Sequence, residues 1–508
     1  MINRISLDAC YKAASAVFAE AERDGRQMAI AVSDEAGGVV FAVRSEKCAS
    51  RVLTHAIRKS YTSAIMQRDT ITFRDQDREQ QKTLADWGSD PQLTHLVGGV
   101  ALKAAGASWG GVGVGGNTTE RDDEIGHLAA RILLRSLPSS SPATPTAGRG
   151  AQFGAADDAF ALTGVLGLDP DTGQLGESPQ EQFEFAFESL RRYSDQFGFS
   201  LGEIGRITVI TPDATYRPLI NPPWLDLFPG EDRPARRTTH APLPPRTYVE
   251  LEVVGARGER TPIEIEGVRH RDPLPMAARV GRHLYSSAIG SDIPHESGRR
   301  PEREAAIVQA FENLQAVVQA AGATMDNVAD VWTYLGMWDL HPEYVDIWVD
   351  VFKDDASRPS RKTFYYPRVD IQLQFDALLG AERTNLEIAG IGHHDPIPMG
   401  ASTGNLVTTS GVDGRDPATG KAPRGVVAQS AMALSNLIGL FKDAGVSRKG
   451  IYHVTGLVGH SAYVGPFVAE FERSFPVRAE RPALQLLELG LPARDMLVQF
   501  LARGMRDS

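Results

Sequence analysis

Two arginines of this 508-residue chain occupy the same short setting, Pro234-Ala235-Arg236 and Pro359-Ser360-Arg361, 125 residues apart. A third site, 123 residues further on, reads Pro482-Ala483-Leu484. Each precedes a strand-like segment with a matching position: Glu250 within YVELE, Gln372 within DIQLQ and Leu497 within MLVQF. A guanidinium grips a carboxylate through two parallel hydrogen bonds and so fixes the acid end of a small substrate. A glutamate beside it can orient or deprotonate a water; glutamine positions a water but is a poor base. By residue type, the first site holds both groups and the second keeps the clamp. The third, with leucine twice, can do neither job. An arginine in a string such as EDRPARRTTH is ordinarily a surface charge or a simple ion pair. Recurrence at a near-constant spacing sets Arg236, Glu250, Arg361 and Gln372 apart for closer reading.

Other chemistry-bearing residues carry less. His55, His95 and His127 could each ligate iron, but no Cys-x-x-Cys-His attachment string exists. His55 and Lys59 lie one helical turn apart and could face an anion. His393-His394 beside Asp395 suggests a cation, yet the matching string Arg269-His270-Arg271-Asp272 carries arginines that would repel one. Both strings are read as inter-domain turns, and no metal site is expected. Gly111-x-Gly113-x-x-Gly116 matches a dinucleotide fingerprint, but it runs along a strand into polar NTTERDD rather than into a helix, which excludes a Rossmann site. Walker, HExxH and EF-hand strings are absent, and no Gly-x-Ser-x-Gly nucleophile elbow is read.

The elements that must position these residues repeat. HRDPLPMAARVGRHLYSSAIG from His270 parallels HDPIPMGASTGNLVTTSGVDG from His394, and FALTGVLGLDPDTGQLG from Phe160 is a weaker third copy. Gly164, Ala288 and Gly411 anchor them at spacings of 124 and 123 residues, the size of a small domain rather than a solenoid repeat. Each period predicts β-β-α-β-α-β-β, its first helix stopping at Gly198, Gly322 or Gly445. The Ser/Pro/Thr/Gly-rich stretch 137–154 has little to bury and reads as a linker. Residues 1–136 read as helix, strand pair, helix, polar loop, Gly-rich strand pair and helix. A chain of 508 residues is too long for one core, and the expected units are 1–136, linker 137–154, 155–268, 269–392 and 393–508. A net charge of −11 without a Lys/Arg block excludes a nucleic-acid or membrane footprint. Cys10 and Cys48 make no disulfide framework, no apolar run reaches a membrane span, and the first residues lack a signal peptide's apolar region. A cytoplasmic, reducing location is the expectation.

The order Ser/Thr-Gly, Asp-Pro-x-Thr-Gly, helix ending in Gly, strand, helix, Pro-x-Arg and closing strand resembles the RidA (YjgF/UK114) family. That resemblance implies an α+β fold of three chorismate-mutase-like (RidA-type) domains forming an intramolecular pseudo-trimer, with active sites in the clefts between copies. It also implies hydrolysis of reactive imines or enamines such as 2-aminoacrylate, on a small carboxylate substrate and with no cofactor required, and, together with the repeat, makes Arg236, Glu250, Arg361 and Gln372 the catalytic candidates. Aromatic residues of a neighbouring copy belong to such sites, and Tyr285, Trp332, Tyr334 and Trp338 are candidates. The strings SDEAGGVVFAVR, HAIRKSYTSA, LVGGVAL and WGGVGVGGNTTERDDEIGHLAA resemble the GlcG/HbpS family, which implies a profilin-like α/β layer. Some members bind haem, which makes His55 and His127 the haem-ligand candidates. This domain would assist by oligomerising, or by binding a ligand or cofactor. The alternatives are a non-enzymatic haem or small-molecule sensor using the repeats as scaffold, and a RidA-fold enzyme with another reaction on a carboxylate.

Overall fold

The computed structural model describes residues 5, 7–87, 90–104, 107–135, 151–296, 298–366, 370–489, 491 and 495–506. The chain forms two compact units, Met1–Ala143 and Thr144–Ser508. Both mix helices with β-sheets.

The first unit runs α1 (Leu7–Arg23), β1 (Ala29–Ser33), β2 (Val39–Arg44), α2 (Ser50–Ile65), α3 (Thr70–Glu79), β3 (Gly99–Ala104), β4 (Ala107–Gly115) and α4 (Thr119–Arg135). Its sheet has the order β2-β1-β4-β3. Side chains alternate across a strand. Ile30, Val32, Val112 and Val114 therefore meet α1 and α4 on one face, and Ala29 and Ala31 meet α2 on the other. The glycines of β4 seat α2: a Cβ on Gly113 would lie 2.1 Å from the Ala56 carbonyl oxygen, and one on Gly111 2.4 Å from that of Ser60. The Gly-x-Gly-x-x-Gly string is thus a packing surface. The predicted polar loop instead contains α3, which buries only Thr70, Phe73 and Asp77 and so has little apolar periodicity to read.

The second unit holds three sheets. The first comprises β5 (Gln152–Ala156), β6 (Ala159–Leu166), α5 (Pro179–Phe197), β7 (Ile204–Thr211), α6 (Asn221–Leu227), β8 (Ala235–His240) and β9 (Glu250–Ala256). The second comprises β10 (Arg260–Ile263), β11 (Ala277–Val280), β12 (His283–Ser286), α7 (Arg303–Ala320), β13 (Val328–Leu335), α8 (His341–Val351), β14 (Ser360–Tyr365) and β15 (Ile371–Leu378). The third comprises β16 (Arg383–Leu386), β17 (Gly400–Thr403), β18 (Leu406–Thr409), β19 (Val412–Asp413), α9 (Val426–Asp443), β20 (Ile451–Val458), α10 (Val464–Ser474), β21 (Ala483–Glu488) and β22 (Val498–Met505). In each, a parallel pair (β7/β8, β13/β14, β20/β21) forms one end of the sheet. The three long helices stop where expected, with Gly198, Gly322 and Gly445 at φ of 71°, 75° and 77°.

Strand pairing moves the expected seams. Arg260–Ile263 belongs to the second sheet and Arg383–Leu386 to the third, so these begin earlier than 269 and 393, with three strands before the helix in the second and four in the third rather than two. Residues 152–154, read as the end of the linker, pair within β5; residues 137–150 lie outside the described residues.

All eight residues of β7, β13 and β20 are buried, so both faces of each sheet are covered. Helices cover one face, with Trp224, Trp348 and Phe467 in the respective cores. The other faces meet one another. One shared cluster joins Val254, Tyr285 and Tyr452, and a second joins Ile210, Trp332, Tyr334 and Leu457. Tyr285, Trp332 and Tyr334 are therefore packing residues between sheets, while the side chain of Trp338 lies outside the described set.

Candidate active site

Registers equate positions across the three sheets. Arg236, Arg361 and Leu484 stand opposite Ile207, Val331 and Val454, as the repeat spacing predicts. Glu250, Gln372 and Gln499 stand opposite Ile210, Tyr334 and Leu457. The third member of that set is thus Gln499 and not Leu497.

Arg236, 3% exposed, lies on β8 at the edge of the first sheet. Its backbone N–H donates to Ser287 Oγ (3.0 Å), tying β8 to the second sheet. Its guanidinium stacks over Trp224, 4.7 Å from the ring centroid. Nη2 donates to Asn221 Oδ1 (2.9 Å) and pairs with Asp272 Oδ2 (3.3 Å). Asp272 also receives Arg217 Nη2 (2.8 Å) and Asn221 Nδ2 (3.1 Å). Nη1 of Arg236 is buried with no hydrogen-bond partner. Burial brings the Arg236 pKa down to about 10, the Asp272 carboxylate opposing, so the side chain remains a cation near neutrality.

These groups border a cavity of about 100 Å³, which Gln372 of the second sheet also lines. Five arginines (217, 236, 269, 271 and 300) face it against Asp272 and Asp292, and Arg300 is already paired to Asp292 at 3.0 Å. His270 lines the same cavity, its Nε2 buried and without a partner. Burial drives the His270 pKa down to about 4, which leaves the imidazole neutral at pH 7. The string Arg269-His270-Arg271-Asp272, expected to be an inter-domain turn, instead lies between β10 and β11 of the second sheet and walls the cleft.

The second cleft repeats the pattern. Arg361, 1% exposed, stacks over Tyr344 (5.0 Å) and Trp348 (4.9 Å), pairs through Nη2 with Asp395, and donates its backbone N–H to Ser410 Oγ (3.0 Å). Nε and Nη1 are buried without partners. Asp395 also faces His341 Nε2 at 3.2 Å. A cavity of about 270 Å³ beside it is lined by His393, His394, Asp413, Arg415 and Gln499 among others. Lys362 Nζ donates to Gln499 Oε1, and burial lowers the Lys362 pKa to about 8.

The expectation that Arg236 and Glu250 form one site is corrected. Glu250 Oε1 accepts from Gln485 Nε2 (3.0 Å) of the third sheet, beside the buried Leu484. Each sheet's clamp position meets the next sheet's polar position, because a buried sheet face presents its side chains to a neighbour rather than to itself. Arg236 therefore shares its cavity with Gln372, and the glutamate sits where the clamp is leucine.

In the first unit, Lys59 is 4% exposed and bound to Asp122 Oδ2 (2.9 Å) and the Val114 carbonyl (2.7 Å). It is engaged, so no anion-facing His55–Lys59 pair forms. His95 is held by Asp77 Oδ2 (2.8 Å), and His127 Nε2 faces Asp69 (3.5 Å) and Asp123 (3.8 Å). His55 on α2 and His127 on α4 belong to helices on opposite faces of the sheet, so they do not fit a haem as two axial ligands. Among the described residues no group of three or more His, Cys, Asp or Glu could hold a metal ion, and no helix is long and apolar enough to cross a membrane.

Residues 5–131 match the family described as "Haem degrading protein HbpS-like". A double mutant of Streptomyces reticuli HbpS is a similar solved structure, with 27% identity, 26% of this chain and 87% of that chain covered, and a TM-score of 0.24. A RutC family protein of Haemophilus influenzae is 30% identical over 113 residues, 22% of this chain and 87% of that protein. A RutC family protein of Aquifex aeolicus is 31% identical over 93 residues, 18% of this chain and 73% of its own length. The chain belongs to the RutC family, the RidA-type family whose motifs its repeats carry, and joins to that part an HbpS-like segment at residues 5–131.

Proposed function

We propose that the three sheets of residues 152–505 are three RidA-like, chorismate-mutase-type domains arranged as a pseudo-trimer within one chain. In this reading the clefts holding Arg236 and Arg361 hydrolyse the C=N bond of a small imine or enamine carboxylate. The carrying observation is the buried Arg236 guanidinium, whose Nη1 lacks a partner beside a cavity walled by five arginines and two aspartates. An unpaired buried donor costs about 1–3 kcal/mol, and a bound carboxylate removes that cost. The cavity suits a small acid and is too small for a tetrapyrrole. Arg236 and Trp224 fix the substrate's acid end, and a water adds to the imine carbon. A proton passes from the new hydroxyl to nitrogen, the C–N bond breaks, and ammonia leaves a keto acid.

The test is release of ammonia and keto acid from 2-aminoacrylate generated in situ. The wild type should exceed the spontaneous rate, and Arg236→Ala combined with Arg361→Ala should lose at least about 100-fold in kcat/KM. No release above the spontaneous rate by the wild type refutes the reading.

The HbpS-like match supports a second reading for residues 5–131, a profilin-like layer that binds haem or another small molecule. A haemin titration tests it: an absorption band lost in His127→Ala or His55→Ala supports it, and its absence in the wild type refutes it. Assembly of chains through this unit, with a small-molecule carboxylate as the only other partner, completes the proposal.

A further inference from the structure

We propose that His270 is the proton acceptor of the first cleft, its ring nitrogen taking a proton from the water that adds to the substrate and returning one to the departing nitrogen. The inference rests on the hydrolase reading above and deepens it.

The other groups bordering the cavity are committed or unsuited. Gln372 cannot take a proton; Glu250 borders another cleft, engaged there by Gln485 of the third sheet. Asp272 is occupied by Arg217, Arg236 and Asn221, and Asp292 receives two bonds from Arg300 (3.0 and 3.2 Å). A guanidinium donates hydrogen bonds and offers no acceptor for a proton. His270 is left, its buried Nε2 bonded to nothing among the described residues.

Burial is the main force that keeps this ring neutral; Arg236 and Arg217 add to it, and Asp292 and Asp272 oppose it. A carboxylate bound to Arg236 offsets the arginine charge and raises the basicity of His270 when substrate is present. Arg269, Arg271 and Arg300 line the same cavity and act in the same sense as Arg217.

A second, independent observation comes from the repeat. His393 stands 123 residues beyond His270, lines the second cavity, and also has a buried Nε2 without a partner. Burial likewise lowers its pKa to about 4. Each cleft with an arginine clamp has such a histidine. Ahead of β5, the corresponding stretch 137–151 contains no histidine, and the clamp position of the remaining cleft is Leu484. Histidine and clamp occur together.

The experiment uses the full chain carrying Arg361→Ala, so that turnover reports the first cleft. In that background His270→Gln should lower kcat about 10²- to 10⁴-fold with KM within about threefold, as expected for loss of a general base. The kcat-versus-pH profile of the parent should fall on the acid side as His270 becomes protonated, and the residual activity of the variant should lack that limb. His270→Asn serves as a second variant, and retained affinity for pyruvate, a non-reactive keto acid, shows that the folded cleft is intact. If the parent turns over but both variants keep kcat within about threefold, the role of His270 is overturned and the hydrolase reading stands. If the wild type releases no ammonia, both fall together.

Discussion

Where the inner sheet faces meet, Asp376 of β15 pairs with Arg206 of β7 and with Arg503 of β22 (2.7 Å), and Arg503 also reaches Asp330 (3.4 Å). Arg206, Asp376 and Arg503 are each 5% exposed or less. Asp376→Asn keeps the shape but removes the only carboxylate paired with Arg206 among the described residues, and leaves Arg503 with Asp330. Burial raises the Asp330 pKa to about 7, so that partner is partly protonated near neutrality. Breaking a buried pair by removing one charge costs about 3–5 kcal/mol. Domain stabilities are only about 5–15 kcal/mol, so the change should be large. Urea unfolding followed by circular dichroism and by tryptophan fluorescence measures it, and a shared midpoint for the two probes licenses the conversion to free energy. The double-mutant cycle with Arg206→Met should give a coupling above about 1 kcal/mol. A loss under about 1 kcal/mol, with coupling near zero, would refute the idea that these charges hold the sheets together.

Four further outcomes follow from the same contacts. Glu250→Gln should leave imine turnover within about threefold of wild type, because Glu250 lies with Gln485 and Leu484 and not with either clamp; steady-state kinetics decides this. Gly113→Ala should destabilise the first unit by about 1–3 kcal/mol through the 2.1 Å approach to the Ala56 carbonyl, read from its thermal midpoint. Burial would raise the Glu252 pKa, but the hydrogen bond and charge of His453, with Arg503 and Arg206, hold it at about 2. Its stabilisation is complete above the ordinary value of 4.5 and disappears as pH falls through about 2, so Glu252→Gln should flatten the acid limb of the stability curve. Asp330 has the opposite sign: relative to Asp330→Asn, wild-type stability should fall as pH rises from about 4 to about 7, measured by urea midpoints.

Local features were legible from the residues alone. Helix stops at Gly198, Gly322 and Gly445 need only a left-handed residue after an amphipathic run, and the clamp positions 236, 361 and 484 keep a near-constant period. The polar partners were not legible, because the loop between the last two strands changes length. From clamp to partner the chain takes 14, 11 and 15 residues (Arg236 to Glu250, Arg361 to Gln372, Leu484 to Gln499), so spacing does not locate the third partner, and Leu497 lies two residues short of it. Nor does a sequence say which repeat faces which. Arg236 and Glu250 look like one site because they are close in the chain, yet they border different clefts. His270 was passed over because its string reads as an inter-domain connector, whereas it joins β10 to β11 within the second sheet. Its recurrence at His393 was the signal that could have found it.

Fusion of the repeats has a physical consequence at the centre of the proposed arrangement. Arg206, Asp330 and His453 occupy one equivalent position, and Val254, Asp376 and Arg503 another. Three identical chains around a threefold axis would place three copies of each residue there: three arginines, or three aspartates, buried together. Like charges in a dry centre repel strongly, so a symmetric assembly must keep these positions neutral or pay heavily in desolvation and repulsion. A single chain is free of that constraint. It can set Arg206 and Arg503 against Asp376, and His453 against Glu252 (3.0 Å), and satisfy each charge with one of opposite sign from another repeat. The same freedom reaches the clefts. Once the repeats need not be equal, one clamp can become Leu484 and join the core while Arg236 and Arg361 stay charged. Heteropolar packing at the axis also specifies which sheet docks on which, since any exchange of repeats would bring like charges together. The inequality of the clefts and the charge pattern at the centre are thus two effects of one cause, the loss of enforced symmetry.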